Sequence, residues 1–163
     1  MATEDNWVTV RNGSVFPQQQ GCIRALGIPG INHHCVCDPD AYIALWLRPD
    51  GEVVFGCAWS EVGFIKAQFP WDGEVVTGEE ADRYRILKCS NDTPNRYHWV
   101  QASQANEHSL LYVGEYTPAL VLKGNKAIVG KACWDRKMAW TCEGGESCYQ
   151  GGNFSDCYLL AKE

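Results

Sequence analysis

The sequence predicts an all-β fold in which two tandem antiparallel β repeats pack as one pseudo-twofold domain. The first observation is an internal repeat, because a Trp-Val pair opens each half of the chain, at Trp7 and at Trp99. The second is an apolar run that contains a Gly and ends in a Trp, at Trp59 and at Trp134. The third is that the apolar runs are short, rich in β-branched and aromatic residues, and separated by turn residues.

The repeat also predicts how the chain is organised. Each half closes on a Tyr followed by an aliphatic pair and a Lys, in residues 84–88 and 158–162. We expect residues 1–90 to form the first repeat and residues 91–163 the second, joined by a polar linker at 89–96. Since each half alone would be only marginally stable, the two are expected to share one core.

The strands follow one another with turns between them and no sustained helical periodicity. Arg48-Pro49-Asp50-Gly51 predicts a tight turn, because Pro suits its second position and Gly its last. Gly124-Asn125 predicts an equivalent hairpin turn in the second half. We expect at most one helical turn within 75–84. Loops are expected over 27–40 and 141–156. The predicted strands are 42–47, 52–58, 63–69, 83–88, 99–102, 119–123 and 127–134.

Charge and composition exclude several classes of partner. The chain of 163 residues is 45% hydrophobic and has a formal net charge of -6, without a run of Lys or Arg. A nucleic-acid partner is therefore not expected. No apolar stretch approaches the ~18 residues of a membrane helix, and the acidic N-terminus is not a secretory signal. These features predict a cytoplasmic location, while release by a non-classical route stays open.

The nine cysteines are an odd number, so at least one has no partner within the chain. In a reducing cytosol we expect free thiols, with oxidation of a late cluster as the alternative. The densest set of metal-ligating residues is His33-His34-Cys35-Val36-Cys37-Asp38, but no second pair at matching spacing completes a zinc site. We predict no metal and no cofactor, and a metal or thiol role for this loop stays an alternative. The late cluster is Cys133, Cys142, Cys148 and Cys157.

The sequence contains no recognised catalytic motif. Its four histidines adjoin no nucleophile motif, and no Gly-rich phosphate loop is present. We therefore predict that the protein is not an enzyme.

Four tryptophans occupy equivalent positions in the two repeats and are expected to be structural anchors: Trp7, Trp99, Trp59 and Trp134. The other tryptophans could lie beside carboxylates on a rim, an arrangement that suits a sugar with its apolar face and hydroxyl fringe.

Each half resembles the DM-nine repeat, a domain also found in natterin-like proteins. The family pattern is an opening Trp-Val, a Tyr/Phe strand with a turn, a Pro-Gly-Lys-like step and a closing Tyr with aliphatic residues. The matching segments are 7–8, 22–25, 41–44, 50–56, 72–74 and 84–87 in the first half and 99–100, 120–122, 130–131, 144–146 and 158–160 in the second.

The resemblance implies a ligand site. Family members with two copies include bivalve lectins that bind mannose and are often dimeric. The acidic residues and the Lys through which they bind sugar correspond here to Asp38 or Asp40, Glu52 and Lys131. Cys57 stands at the position of the Lys in the first half. In the second half Lys126 stands at the position of the acid after the turn, and no clear loop Asp precedes it, only Glu107 and Glu115. The two incomplete sites could complement each other across a seam between the repeats.

We therefore expect a non-catalytic lectin for mannose-type glycans, with a role in innate immunity and avidity from a homodimer. In such a site carboxylates would accept hydrogen bonds from the sugar hydroxyls, at Asp38, Asp40, Glu52 and Glu115. The Lys131 ammonium would donate hydrogen bonds to the sugar, and Trp46 or Trp71 would offer an apolar platform. The alternative is an interaction or structural module that has lost its sugar site.

Overall fold

The computed structural model describes residues 6–16, 34–35, 41–71, 74–88, 97–123, 126–142 and 146–162. The first half contains β1 (Asn6–Arg11), β2 (His34–Cys35), β3 (Tyr42–Leu47), β4 (Val53–Glu61), β5 (Phe64–Trp71), β6 (Glu74–Thr77), α1 (Gly78–Ala81) and β7 (Arg83–Lys88). The second contains β8 (Tyr97–Gln101), β9 (Tyr116–Lys123), β10 (Lys126–Cys133), β11 (Met138–Cys142), β12 (Glu146–Gln150), α2 (Gly152–Ser155) and β13 (Tyr158–Lys162), with 3-10 turns at Ala102–Gln104 and Glu107–Ser109.

The two sheets have the same topology. The first sheet has the strand order β1-β7-β3-β4-β5-β6, and the second has the order β8-β13-β9-β10-β11-β12. When β2 is left out, strands with the same position in the two orders also have the same rank along their half of the chain. A short helix precedes the last strand of each half. The predicted fold of two tandem antiparallel β repeats is therefore confirmed.

One strand crosses between the repeats. β2, from the first half, pairs in parallel with Lys126 and Ala127 at the start of β10 in the second sheet. The other described strand pairs are antiparallel. The crossing adds backbone hydrogen bonds between the halves. The predicted boundary between residues 90 and 91 lies outside the described residues and stays a prediction.

Two glycines mark equivalent places in the sheets. Gly56 on β4 is opposite Ala44, and Gly130 on β10 is opposite Ala119. A Cβ on Gly56 would overlap the backbone of the next strand at Gln68, and a Cβ on Gly130 would overlap the backbone carbonyl of Trp140. Both sheets therefore need a residue without a side chain at this point of close strand approach.

The last strands of the two repeats, β7 and β13, align one residue away from the alignment that the sequence pattern predicts, which matches Tyr84 to Tyr158. Trp7 is opposite Leu87 and Trp99 is opposite Leu160, so these leucines are equivalent. Tyr158 therefore corresponds to Arg85 rather than to Tyr84. Strand pairing, and not the tyrosine itself, determines the alignment, because a slip of one residue would reverse the faces of the strand.

Most predicted elements are present. The turn at 48–51 is closed by a 2.9 Å hydrogen bond from the Gly51 amide to the Arg48 carbonyl. α1 supplies the single helical turn, and the Thr77 side chain caps it by accepting from the Glu80 amide. The prediction of a loop over 141–156 was wrong, because β12 pairs with β11 and α2 follows it. The turn predicted at Gly124-Asn125 lies outside the described residues.

Among the residues that the structure describes, four clusters form the core, and two of them combine residues of both repeats. One shared cluster packs Ile43 and Leu87 against Trp99 and Leu120. The other packs Leu45 and Phe55 against Tyr116 and Cys133. Each repeat also has a cluster of its own on the outer face of its sheet. The expected shared core is thus present, and the described Trp7, Trp59, Trp99 and Trp134 pack against these clusters.

The described cysteines include three free thiols, Cys133, Cys148 and Cys157. Cys57 is disulfide-bonded, contrary to the expectation of free thiols at that position. Within the described part of the chain, no group of three His, Cys, Asp or Glu residues could hold a metal ion. Most of the His33–Cys37 loop lies outside that part.

No helix of the described ranges has the length and apolar character to cross a membrane.

Candidate functional site

The seam between the repeats is centred on Lys131, which follows Gly130 on β10. Its side chain crosses from the second repeat to the first, where Nζ donates to the carbonyl oxygen of Val53 at 3.3 Å. The same Nζ lies 3.9 Å from Oε2 of Glu52. The Lys131 side chain is only 7% exposed, whereas that of Glu52 is 42% exposed. The ammonium is therefore shielded from water and compensated by two oxygen atoms of the other repeat.

Aromatic rings enclose the rest of the ammonium. Nζ of Lys131 lies 4.4 Å from the ring centroid of Tyr116, 5.3 Å from that of Trp71 and 5.5 Å from that of Trp140. All three distances are within the range of a cation–π interaction, which strengthens when the cation is shielded from water. Trp71 belongs to the first repeat and the other two rings to the second. The rings thus join the repeats through one charge.

The ring system continues into the first repeat through Arg48. Its guanidinium carbon lies 4.0 Å from the Trp71 ring centroid and 5.0 Å from that of Trp46. Nε of Arg48 also pairs with Oδ2 of Asp50 at 3.2 Å. The Asp50 carboxylate accepts from the Glu52 amide, and this hydrogen bond lowers its pKa. The turn that connects β3 to β4 therefore positions Arg48 between two tryptophans.

Arg136 extends the system on the opposite side. Its Nη2 donates to the Tyr116 hydroxyl at 2.7 Å and lies 3.4 Å from Oε1 of Glu115, while its Nε donates to Sγ of Cys133 at 3.4 Å. Burial raises the pKa of Tyr116, and Arg136 partly opposes this effect. Trp46, Arg48, Trp71, Lys131, Tyr116, Trp140 and Arg136 together form what we name the cation–aromatic row.

Two open cavities lie beside this row. The first-repeat cavity has a volume of about 460 Å³ and is bounded by Trp46, Arg48, Pro49, Trp71, Glu74, Val76, Glu80 and Ala81. The second-repeat cavity has a volume of about 380 Å³ and is bounded by Glu107, His108, Tyr112, Gly114, Glu115, Trp134 and Asp135. In the second, burial raises the pKa of Tyr112, with further contributions from Glu107 and Asp135.

The structure brings together only part of the predicted ligand set. Glu52 and Lys131 meet across the seam, as complementation of the two half-sites requires, whereas Glu115 lies beside Arg136. Asp38 and Asp40 lie outside the described residues. Trp46 is 7% exposed and packs on Phe69 at a centroid distance of 5.7 Å, so its ring is not an open platform.

Sequence reasoning missed the aromatic enclosure of Lys131 and the roles of Arg48, Tyr116 and Arg136. Arg48 was interpreted only as part of a turn. The sequence feature that could have indicated its role is its position between a Trp and an acidic turn residue. An arginine there can stack on the ring and form an ion pair with the acid at the same time. The contacts of Arg136 and Tyr116 have no local sequence signal, because they join residues 20 positions apart.

Comparison with solved structures gives a match over nearly the whole chain. The crystal structure of the nematode sperm cell motility protein MFP2B has a TM-score of 0.84 and 27% sequence identity to this chain. The match covers 99% of this chain and 46% of that one, so the chain spans less than half the length of its structural relative. A comparison with curated proteins gave no significant match.

Comparison with family models corrects the functional expectation. Residues 4–163 match the family MFP2b, described as a cytosolic motility protein. The resemblance to the DM-nine repeat was therefore wrong, and with it the predictions of a lectin, of mannose-type glycan partners and of a role in innate immunity. The enclosed Lys131 and buried Trp46 agree with this correction, since neither presents itself to a sugar. The cytoplasmic location is confirmed by the family description. The chain belongs to the MFP2b family of cytosolic motility proteins.

Proposed function

We propose that this chain is a non-catalytic interaction module of a cytosolic motility apparatus. The observation that carries the proposal is the match of residues 4–163 to a family described as a cytosolic motility protein. The relative of known structure is a sperm cell motility protein of a nematode. In this proposal the chain acts by binding other proteins and holding them in place. Residues 1–90 and 91–163 would then work as one rigid unit.

The arrangement of charges supports a non-catalytic role. Lys131 is shielded by rings and already paired with Glu52 and the Val53 carbonyl, so it is not poised to exchange a proton with a substrate. Arg48 and Arg136 likewise pair with Asp50 and Glu115. A catalytic acid or base is expected to be within hydrogen-bond reach of a substrate and to have a pKa near the working pH. The pair of Lys131 and Glu52 instead joins the two repeats.

The rigid seam suits a scaffold. β2 crosses to the second sheet, and two of the four core clusters contain residues of both repeats. A unit without an internal hinge keeps its surface features at constant separations, which lowers the entropy cost of binding several partners. The surfaces of the two sheets are then the places at which partners would bind.

The proposal is tested by depleting the protein from motile cells that express it and measuring their speed by time-lapse microscopy. We expect slower movement, restored by the wild-type chain. The Gly130→Val variant, whose side chain would overlap the Trp140 backbone, is the negative control that should not restore speed. Unchanged speed after complete depletion would contradict the proposal.

A further inference from the structure

Three arginines lie together on one face of the first sheet. Arg11 on β1 is directly opposite Arg83 on β7, and Arg85, two residues further along β7, is opposite Thr9 and Leu45. Residues two apart on a strand share a face, and directly opposite residues have Cβ atoms ~5 Å apart. All three arginines are exposed. We name Arg11, Arg83, Arg85 and the neighbouring Leu47 the arginine face.

The charges of this face are poorly compensated. Among the residues that the structure describes, the side chains of Arg83 and Arg85 make no ion pair or hydrogen bond. Arg11 has only Asp82, at 3.8 Å, and both side chains are more than 60% exposed. Such a pair contributes little, and like charges directly opposite on adjacent strands destabilise a sheet. The face is therefore a local cost to stability in a chain whose net charge is -6.

The second repeat does not share this feature. The strand registers make Tyr158 equivalent to Arg85. At the positions of Arg11 and Arg83 the second repeat has no strand pair, because β8 ends at Gln101 and β13 begins at Tyr158. The fold therefore does not need arginine at the position of Arg85. Residues that reduce stability without serving the fold are expected at functional sites.

The face also has a shape that can receive a side chain. A cavity of about 150 Å³ opens between Thr9, Leu45, Leu47, Arg83 and Arg85. Leu47, the last residue of the otherwise buried strand β3, is 41% exposed and lies at this opening. Two guanidinium groups beside an exposed aliphatic side chain can bind carboxylates in a bidentate manner and bury an apolar group at the same time.

We propose that the arginine face binds an acidic segment of a protein partner, whose carboxylates pair with Arg83 and Arg85 and whose aliphatic side chain packs on Leu47. The inference rests on the proposed function and names the chemistry of one partner. An anionic membrane is disfavoured, because this face carries three arginines while the chain as a whole has a net charge of -6. The positive face would also orient the acidic chain toward its partner during association.

The test is fluorescence anisotropy with a labelled twelve-residue peptide of glutamates around a central pair of leucines. We expect saturable binding that weakens with added salt, and no binding of a peptide with lysine in place of glutamate. The double variant R83Q/R85Q should bind at least about tenfold more weakly. The matched control is K66Q/K88Q. It removes the same charge from β5 and from the opposite face of β7, and it should bind like the wild type.

Thermal unfolding supplies a second readout. Because Arg83→Gln relieves the repulsion by Arg11, this variant should unfold at a higher temperature than the wild type while it loses peptide binding. Equal binding by R83Q/R85Q and K66Q/K88Q would overturn the inference. So would Arg83-dependent binding to phosphatidylserine vesicles without binding to the acidic peptide. Slower cell movement on depletion, combined with no peptide binding, would refute this inference and leave the proposed function in place.

Discussion

The ammonium group of Lys131 and the carboxylate of Glu52 lie 3.9 Å apart although they belong to different repeats. The two residues are 79 positions apart in the chain, and β4 and β10 bring them together by packing face to face at the seam. Three aromatic rings and the Val53 carbonyl also surround the ammonium. The repeats are thus joined by a shielded charge as well as by apolar contacts.

Replacing Lys131 by Met should destabilise the protein by about 1–3 kcal/mol, because the cation–π contacts and the hydrogen bond to Val53 are lost while the volume is nearly kept. Urea denaturation measures the effect. The control is Lys66→Met, at a half-buried position on β5 outside the described contacts of the seam. This variant should stay within about 0.5 kcal/mol of the wild type. Equal stability of K131M and the wild type would show that the aromatic enclosure contributes nothing.

Adding a methyl group at Gly56 or Gly130 should destabilise the protein by at least about 2 kcal/mol each, because the new Cβ overlaps the backbone of the next strand. The soluble yield and the urea midpoint of G56A and G130A report this. The matched control is G152A, at the start of α2, where a Cβ meets no atom within 4 Å. This variant should be neutral or slightly stabilising. A soluble G130A of wild-type stability would mean that the strands can separate without cost.

Replacing Val62 by Asn should stabilise the protein by about 1 kcal/mol. Val62 and Gly63 form the two-residue turn between β4 and β5, and both have positive φ, at 53° and 86°. A β-branched residue is strained in this region, whereas Asn followed by Gly is the favoured sequence for such a turn. Val62 is 91% exposed, so little packing is lost. Thermal unfolding checks the prediction, and a lower midpoint for V62N would contradict it.

The protein should lose stability as the pH rises from about 9 to about 11, in part through Cys157. Burial raises the pKa of this thiol from 9.0 to about 11. The Cys157 thiol also donates to the Asn153 carbonyl, which favours its neutral form. Below pH 9 the thiol is neutral in both states. Above it, the unfolded chain releases the proton more readily, so unfolding is favoured until the folded thiol also ionises.

The comparison of wild type with Cys157→Ala isolates this effect. The difference in unfolding midpoint between the two proteins should be constant below pH 9 and should shift in favour of the variant between pH 9 and pH 11. Tyrosines with raised pKa contribute equally to both proteins and cancel. A pH-independent difference would show that Cys157 does not titrate differently on unfolding. The exposed Cys148 should be alkylated much faster than the buried Cys157.

The sequence by itself determined the β content, the repeat and several local features. Alternating apolar residues and turn residues are local properties, so strands β3, β4 and β10 and the turn at 48–51 could be predicted. The paired glycines Gly56 and Gly130 were visible as part of the repeat. β12 was missed because its short polar stretch, next to glycine pairs, resembles a loop and becomes a strand only by pairing with β11.

Only the tertiary structure decided what the candidate residues do. A tryptophan, an acid and a lysine suit a sugar site when they are exposed and a packed seam when they are buried. The sequence is compatible with both roles for Trp46, Glu52 and Lys131. Their burial depends on how two sheets face each other, which involves residues of both halves at once. The pairing of Arg11 with Arg83 likewise follows from strand register between distant segments. Local pattern specifies strands, whereas register and packing between the sheets determine which side chains are shielded and which remain available to a partner.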